Sequence, residues 1–242
     1  MRAAALQQRV ELCDKETNIA RALLLADAAL SRDAEILVFP ELFLTGFCYQ
    51  AEGQEYPPYS TLDPFRLLAQ EHECLIIGSL HSGRQNLAFC LDAEIFELRP
   101  KIHPFNLEKE HFDGGDNISP VSTKWGRVGL EICYDLRFPE VARSLALQGA
   151  DFLVTMAQFP AARRAQWRAL AIARAIENQI PHVACNWAVA GGSLIVDARG
   201  EVQAEAGPDE TMITAEIDLA ARDEARREIP CFSDRRPEIY RW

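Results

Sequence analysis

The 242-residue chain is 48% hydrophobic and 25% charged, an ordinary globular composition, long enough to bury a large core without disulfides or metals. Its 25 basic and 36 acidic residues leave a net charge of −11, which argues against a nucleic acid or an anionic membrane as partner. No apolar run approaches the length of a membrane span, no pair of the seven cysteines is spaced C-x-x-C, and the N-terminus reads as a strand rather than a targeting peptide. A reduced, cytoplasmic compartment is expected, with most of the cysteines other than Cys133 serving as core filler.

Residues 3–10 read as a strand. Asp14 is placed to cap a helix to about Leu30, with Ile19, Leu23, Ala26 and Leu30 at helical spacing. Residues 35–39 form a buried strand that stops at Pro40, leaving Glu41 at its end among Phe39, Leu42, Phe43 and Phe47. A carboxylate so placed is a candidate general base, and a salt-bridged or helix-capping glutamate is the plainer alternative. Residues 50–62 are a polar, proline-bearing loop, and Asp63-Pro64 opens a short helix. A strand follows at 75–80, then a hairpin of 88–91 with 94–98.

Lys101 comes directly after that hairpin. By base rate it is surface charge; held over a site, its ammonium is an oxyanion partner. Residues 106–119 are a polar, glycine-bearing loop suited to lining a mouth, and they contain Glu110 and His111. The run 128–132 is a buried strand, and Pro139-Glu140 begins a helix that ends at Gly149, so Cys133 sits where a strand hands over to a turn. That end of a strand is where α/β folds bind ligands. The competing reading is a small core hydrophobe. Strands at 151–155, 182–187, 193–196 and 212–217 alternate with helices at about 162–178 and 219–228. The helix at 162–178 is apolar almost all round, which places it at a layer or subunit contact. With no linker or repeat, the expectation is one α/β layered domain over residues 1–242.

Glu41, Lys101 and Cys133 each lie just past a strand-like run. If those strands share a sheet edge, the base, the cation and the nucleophile converge. The sequences around them resemble the nitrilase superfamily of carbon–nitrogen hydrolases. The matching pieces are Phe39-Pro-Glu-Leu-Phe-Leu-Thr-Gly46, Arg99-Pro-Lys-Ile-His103 and Gly129-Leu-Glu-Ile-Cys-Tyr-Asp-Leu-Arg-Phe-Pro-Glu140, with weaker echoes at 173–179 and 235–240. The resemblance implies a four-layer αββα sandwich, stacked by dimerisation into αββααββα. It implies Glu41 as general base, Lys101 as oxyanion partner, Cys133 as nucleophile acting through a thioester, and the Tyr134 N–H completing the oxyanion hole. A second family glutamate between lysine and cysteine matches Glu110, with Glu108 as the fallback, to orient Lys101 or the attacking water.

Residues 159–167, 173–179 and 185–186 look most like bacterial ω-amidases, which hydrolyse 2-oxoglutaramate and related monoamides of short dicarboxylic acids. Phe159 and Arg163 are then substrate contacts, Arg163 facing a free carboxylate; an exposed helix arginine is the alternative. Relatives often carry Gly-His-Ser where this chain has Gly191-Gly192-Ser193, and the connection from Asn186 to Ser193 is shorter. The implied partners are a small amide substrate, water and a second copy of the chain, with no cofactor and no metal. The competing functions are a nitrilase or N-carbamoyl hydrolase using the same residues, a Cys–His hydrolase using His103, His111 or His182, and an inactive homologue kept for binding or assembly.

Overall fold

Two six-stranded sheets lie face to face in the computed structural model, which describes residues 1–241. The first has the order β12-β1-β2-β3-β4-β5, from β1 (Arg2–Gln7), β2 (Ile36–Val38), β3 (Leu75–Ser82), β4 (Gln85–Leu91), β5 (Phe96–Pro100) and β12 (Thr211–Glu216). The second has the order β11-β10-β9-β8-β7-β6, from β6 (Val121–Thr123), β7 (Gly126–Ile132), β8 (Phe152–Ala157), β9 (His182–Asn186), β10 (Leu194–Val196) and β11 (Val202–Glu205). Strands β1, β2 and β3 are parallel, as are β7, β8 and β9; the outer pairs are antiparallel.

The two-residue period of the strands sorts their side chains into layers. Ala3, Ala5, Ile36, Val38 and Ile77 of the first sheet share one buried cluster with Val128, Leu130, Ile132, Val154 and Met156 of the second. Alternate residues Ala4, Leu37, Ile76 and Phe89 face the other way, onto Ala22 and Ala26 of α1 (Lys15–Leu30) and Phe65 of α2 (Asp63–His72). On the far side Leu153 packs with Val141 and Leu145 of α4 (Pro139–Leu147), and α5 (Arg164–Asn178) adds Trp167, Ala171 and Ala175. The result is the expected αββα sandwich. Asp14 caps α1 by accepting from the Thr17 N–H at 3.1 Å. Asp218 caps α6 (Leu219–Glu228) in the same way, accepting from Ala220 and Ala221.

Sequence reading misses β6 and β11. Both are short edge strands, and β11, Val-Gln-Ala-Glu, carries too little apolar periodicity to announce itself. The long loop at 106–119 contains a single helical turn, α3 (Glu108–His111), and Arg163 lies in a 3-10 turn ahead of α5 rather than inside that helix. The first strand ends at Gln7, three residues short of expectation.

One expectation about cysteines is corrected. Cys13 and Cys48 form a disulfide across 35 residues, while Cys74, Cys90 and Cys185 are buried thiols and Cys231 is exposed. Pairing is a matter of distance in space, and the two positions show no spacing that would reveal it. The bridge ties the segment before α1 to the loop that follows β2, where the Cys13 N–H also donates to the Thr45 carbonyl at 2.8 Å. Closing a loop of this length removes unfolded-state entropy, so Cys13→Ser or complete reduction should cost about 3–4 kcal/mol, read from the denaturant midpoint. An unchanged midpoint after verified reduction would show that the bridge constrains nothing.

Candidate active site

The parallel strands bring their C-terminal ends to one edge of the sandwich, and five short segments meet there. Glu41 lies three residues past β2, Lys101 directly past β5, Cys133 directly past β7, Gln158 directly past β8, and Trp187 directly past β9. Gly78 of β3 makes room beneath the first of them, because a Cβ there would come within 2.7 Å of the Phe43 ring. Phe43 in turn stacks on Phe39 with centroids 4.4 Å apart, which holds the loop carrying Glu41 against the sheet.

Lys101 is the centre of the arrangement. Its Nζ donates to Glu41 Oε1 at 2.7 Å and to Glu108 Oε2 at 2.6 Å, and only 1% of its side chain is exposed. Burial opposes its charge, but Glu41, Cys133 and Glu108 together outweigh that and hold its pKa above the usual lysine range. Glu41 is fully buried and also accepts from Asn86 Nδ2 at 2.9 Å and from the Gln158 N–H at 3.0 Å. Its own carbonyl accepts from Trp187 Nε1 at 2.6 Å. Thus both carboxylate oxygens and the backbone of Glu41 are held. Burial, then the charge of Glu41, pushes the Glu108 carboxyl up to about 7, with Lys101 pulling it back.

Cys133 has φ +48°, a left-handed conformation that a non-glycine residue adopts only when its surroundings demand it. Its Sγ contacts the Gln158 carbonyl at 3.7 Å, so Gln158 touches both Cys133 and Glu41. Burial pushes the thiol well above its ordinary pKa, the charge of Glu41 adds to this, and Lys101 opposes it. The first two effects favour the thiol over the thiolate. With 9% of its surface exposed, Cys133 is reachable from a cavity of about 120 Å³. That cavity is lined by Phe105, Glu108, Tyr134, Arg137, Gln158, Phe159, Pro160 and Arg163.

The structure thus brings Glu41, Lys101 and Cys133 together, and Tyr134, Phe159 and Arg163 line the same cavity. Glu110 is a correction: it is exposed, and Glu108 occupies the position beside Lys101. The two glutamates are two residues apart on a single helical turn, so their side chains leave it on opposite sides. Arg163 is exposed at the cavity rim. The histidines do not approach the thiol in this way. His103 pairs with Asp135 at 2.9 Å, His111 stacks on Tyr49 at 3.7 Å, and His182 is buried behind the sheet. The short connection after β9 turns through Gly191 and Gly192, both at positive φ, and Trp187 at its start donates to the Glu41 carbonyl.

Sequence reasoning missed Tyr49, Asn86, Asp135, Arg137, Gln158 and Trp187. Only Asp135 and Arg137, on the turn that bears Cys133, left a signal that could have been followed. Tyr49 is pushed up to about 12 by burial and by the charges of Glu108 and Glu41, a measure of how closely its ring backs the two acids.

Behind the Cys133 turn lies a second, buried polar group. Thr155 Oγ1 is 2.7 Å from His182 Nε2 and 3.2 Å from Glu131 Oε2, while His182 Nδ1 donates to the Ala171 carbonyl at 2.9 Å. Burial lowers His182 to about 4, so Nε2 is an acceptor and takes the one hydroxyl proton of Thr155. Glu131 must then donate its own proton to Thr155. Burial, only partly offset by Arg174, raises Glu131 to about 8, which agrees with a neutral carboxyl.

A model of the carbon-nitrogen hydrolase family matches residues 2–227. The 2-oxoglutaramate amidase of Bacillus subtilis is 36% identical over 233 residues, covering 87% of this chain and 88% of that protein. The omega-amidase YafV of Yersinia enterocolitica is 32% identical over 250 residues, covering 97% and 96%. The crystal structure of Saccharomyces cerevisiae Nit3, a nitrilase-superfamily member, superposes with a TM-score of 0.89 at 26% identity, covering 99% of this chain and 97% of that one.

The neutral Glu131 carries a prediction. Its folded-state pKa lies above the ordinary value of 4.5, so its contribution to stability is complete below pH 4.5 and is lost as the pH rises to about 8. Glu131→Gln keeps a donor toward Thr155 and has no proton to lose. Its stability advantage over the wild type should widen by about 1 kcal/mol per pH unit across that window and then level off, measured by denaturation at a series of pH values. Parallel curves for the two proteins would show that Glu131 is ionised.

Proposed function

Because the chain belongs to the carbon–nitrogen hydrolase family, and so hydrolyses carbon–nitrogen bonds other than peptide bonds, we propose that it is a cysteine-dependent amidase. Its substrate is a short ω-monoamide of a dicarboxylic acid, of the 2-oxoglutaramate kind. The observation that carries the reading is the buried ammonium of Lys101 shared by Glu41 and Glu108 beside a thiol that opens onto a small cavity.

The chemistry follows from the charges. Glu41 takes the proton of Cys133 as the sulfur attacks the amide carbon, and the negative charge moves to the carbonyl oxygen. Lys101 and the Tyr134 N–H stabilise that oxyanion. Collapse breaks the carbon–nitrogen bond, Glu41 returns the proton to nitrogen, and ammonia leaves behind a thioester. Glu41 then takes a proton from water, which attacks the thioester; collapse releases the acid and restores the thiol. Glu108 holds Lys101 between the two carboxylates throughout.

At the mouth, Arg137 and Arg163 supply positive charge for the substrate's distal carboxylate. Their guanidinium carbons lie 4.9 Å from the Phe159 ring centroid and 5.7 Å from that of Phe105. A cavity of about 120 Å³ suits a short chain bearing one amide and one carboxylate.

We place the protein in the cytoplasm as a homodimer. Four buried thiols suit a reducing compartment, where the Cys13–Cys48 pair would be held reduced. The dimer reading rests on the family resemblance, and Ile176 of α5 stands 51% exposed. No helix among the described residues is long and apolar enough to cross a membrane.

Purified protein should release ammonia from 2-oxoglutaramate, succinamate or glutaramate, and Cys133→Ala should abolish the release. Arg137→Met should raise KM for these carboxylates by about tenfold or more while leaving kcat within a few-fold, because the distal charge is bound alike in ground and transition states. Failure of the wild type on all three amides, with its thiol intact, would remove the substrate assignment.

A further inference from the structure

We infer that Asp135 is a positioning residue that fixes Lys101 against Cys133 by tying together the two chain segments that carry them. The inference rests on the amidase reading, but its geometry stands apart from any substrate. Asp135 is 2% exposed and lies two residues after Cys133 on the same turn. Its Oδ2 accepts from the backbone N–H of Ile132 at 3.1 Å and of Ile102 at 3.3 Å. Its Oδ1 accepts from the backbone N–H of His103 at 2.8 Å and lies 2.9 Å from His103 Nδ1, so the ring donates there as well. One carboxylate thereby joins the residue just before the nucleophile to the two residues just after the lysine.

The need for such a tie is visible in the backbone. Lys101 ends an edge strand of one sheet and Cys133 ends a strand of the other, so no ladder hydrogen bond links them. Cys133 also sits at φ +48°, a conformation that relaxes unless its neighbours hold it. Asp135 holds it from the lysine side. From the helix side, Arg174 donates to the Leu136 carbonyl from Nε at 3.0 Å and from Nη2 at 2.7 Å. The ring of His103 completes the clamp by stacking on Phe138, with centroids 3.7 Å apart. An uncharged amide cannot replace the carboxylate, because its NH₂ would face N–H donors on one side or the other and give up half of the contacts.

The test compares Asp135→Asn and Asp135→Glu with the wild type, each checked for folding by circular dichroism and thermal melting. The first readout needs no substrate: the rate at which iodoacetamide alkylates Cys133, with the exposed Cys231 of the same chain as internal standard. The second is kcat and KM for amide hydrolysis. In both variants the Cys133-to-Cys231 labelling ratio should fall at least fivefold. kcat should fall at least tenfold, with KM within about twofold, since an oxyanion partner displaced by even 1 Å costs turnover rather than binding. Asp135→Glu keeps the charge and misplaces it, so recovery of wild-type rates in that variant would overturn the proposal. So would a folded Asp135→Asn whose labelling ratio and kcat both stay within twofold of wild type. If Asp135→Asn does not fold, His103→Phe replaces it: this keeps the stack on Phe138 and removes only the ring's bond to Asp135. It should slow labelling and turnover by about twofold to fivefold, and wild-type rates there overturn the inference. A wild type that labels selectively at Cys133 yet hydrolyses none of the amides would sink the amidase reading alone.

Discussion

The structure depends on one buried cation. The ammonium of Lys101 has almost no contact with solvent and is stable there only because Glu41 and Glu108 lie within hydrogen-bond distance on either side. A charge taken out of water costs several kcal/mol unless partners replace its hydration, and a buried pair is tolerated only with its remaining positions also satisfied. Those of Glu41 are satisfied: Asn86, the Gln158 N–H and the Trp187 indole complete its surroundings. The same low polarity that makes this cluster expensive makes each of its fields strong, and that strength is what an oxyanion-forming reaction uses.

The cluster also bears on the sulfur. Burial raises the Cys133 thiol, the charge of Glu41 adds to this, and Lys101, already paired with two carboxylates, opposes it. Under the proposed mechanism Glu41 takes the proton of Cys133, and the two must be placed to within fractions of an ångström. Gln158, touching one with its N–H and the other with its carbonyl, meets that requirement, as do the ties of Asp135 and Arg174 to the turn.

The main elements were legible because their signals are local. Pro40 stops β2 just before Glu41, Pro139 starts α4 just after the Cys133 turn, Asp14 caps α1 with its side chain, and Pro64 sits in the first turn of α2 where its ring geometry predicts. The edge strands β6 and β11 were not legible, since three or four residues with one solvated face leave no period to read. The choice between Glu108 and Glu110 failed for a related reason. It depends on the direction in which a single helical turn faces the rest of the molecule, and a motif match does not contain that direction.

By itself, then, the order of residues determined the alternation of strands and helices, the strand-end positions of Glu41, Lys101 and Cys133, and the family to which those motifs belong. Only the tertiary structure decided that Glu108 rather than Glu110 pairs with Lys101, that Cys13 and Cys48 are joined, that Arg137 lines the cavity, and that Asp135 binds the lysine segment to the cysteine turn. The physical reason is common to all four. Backbone preferences and capping act over a few residues and leave their mark in the sequence, whereas these contacts join groups brought together only when two sheets close on each other, and distance through space has no local signature in the chain.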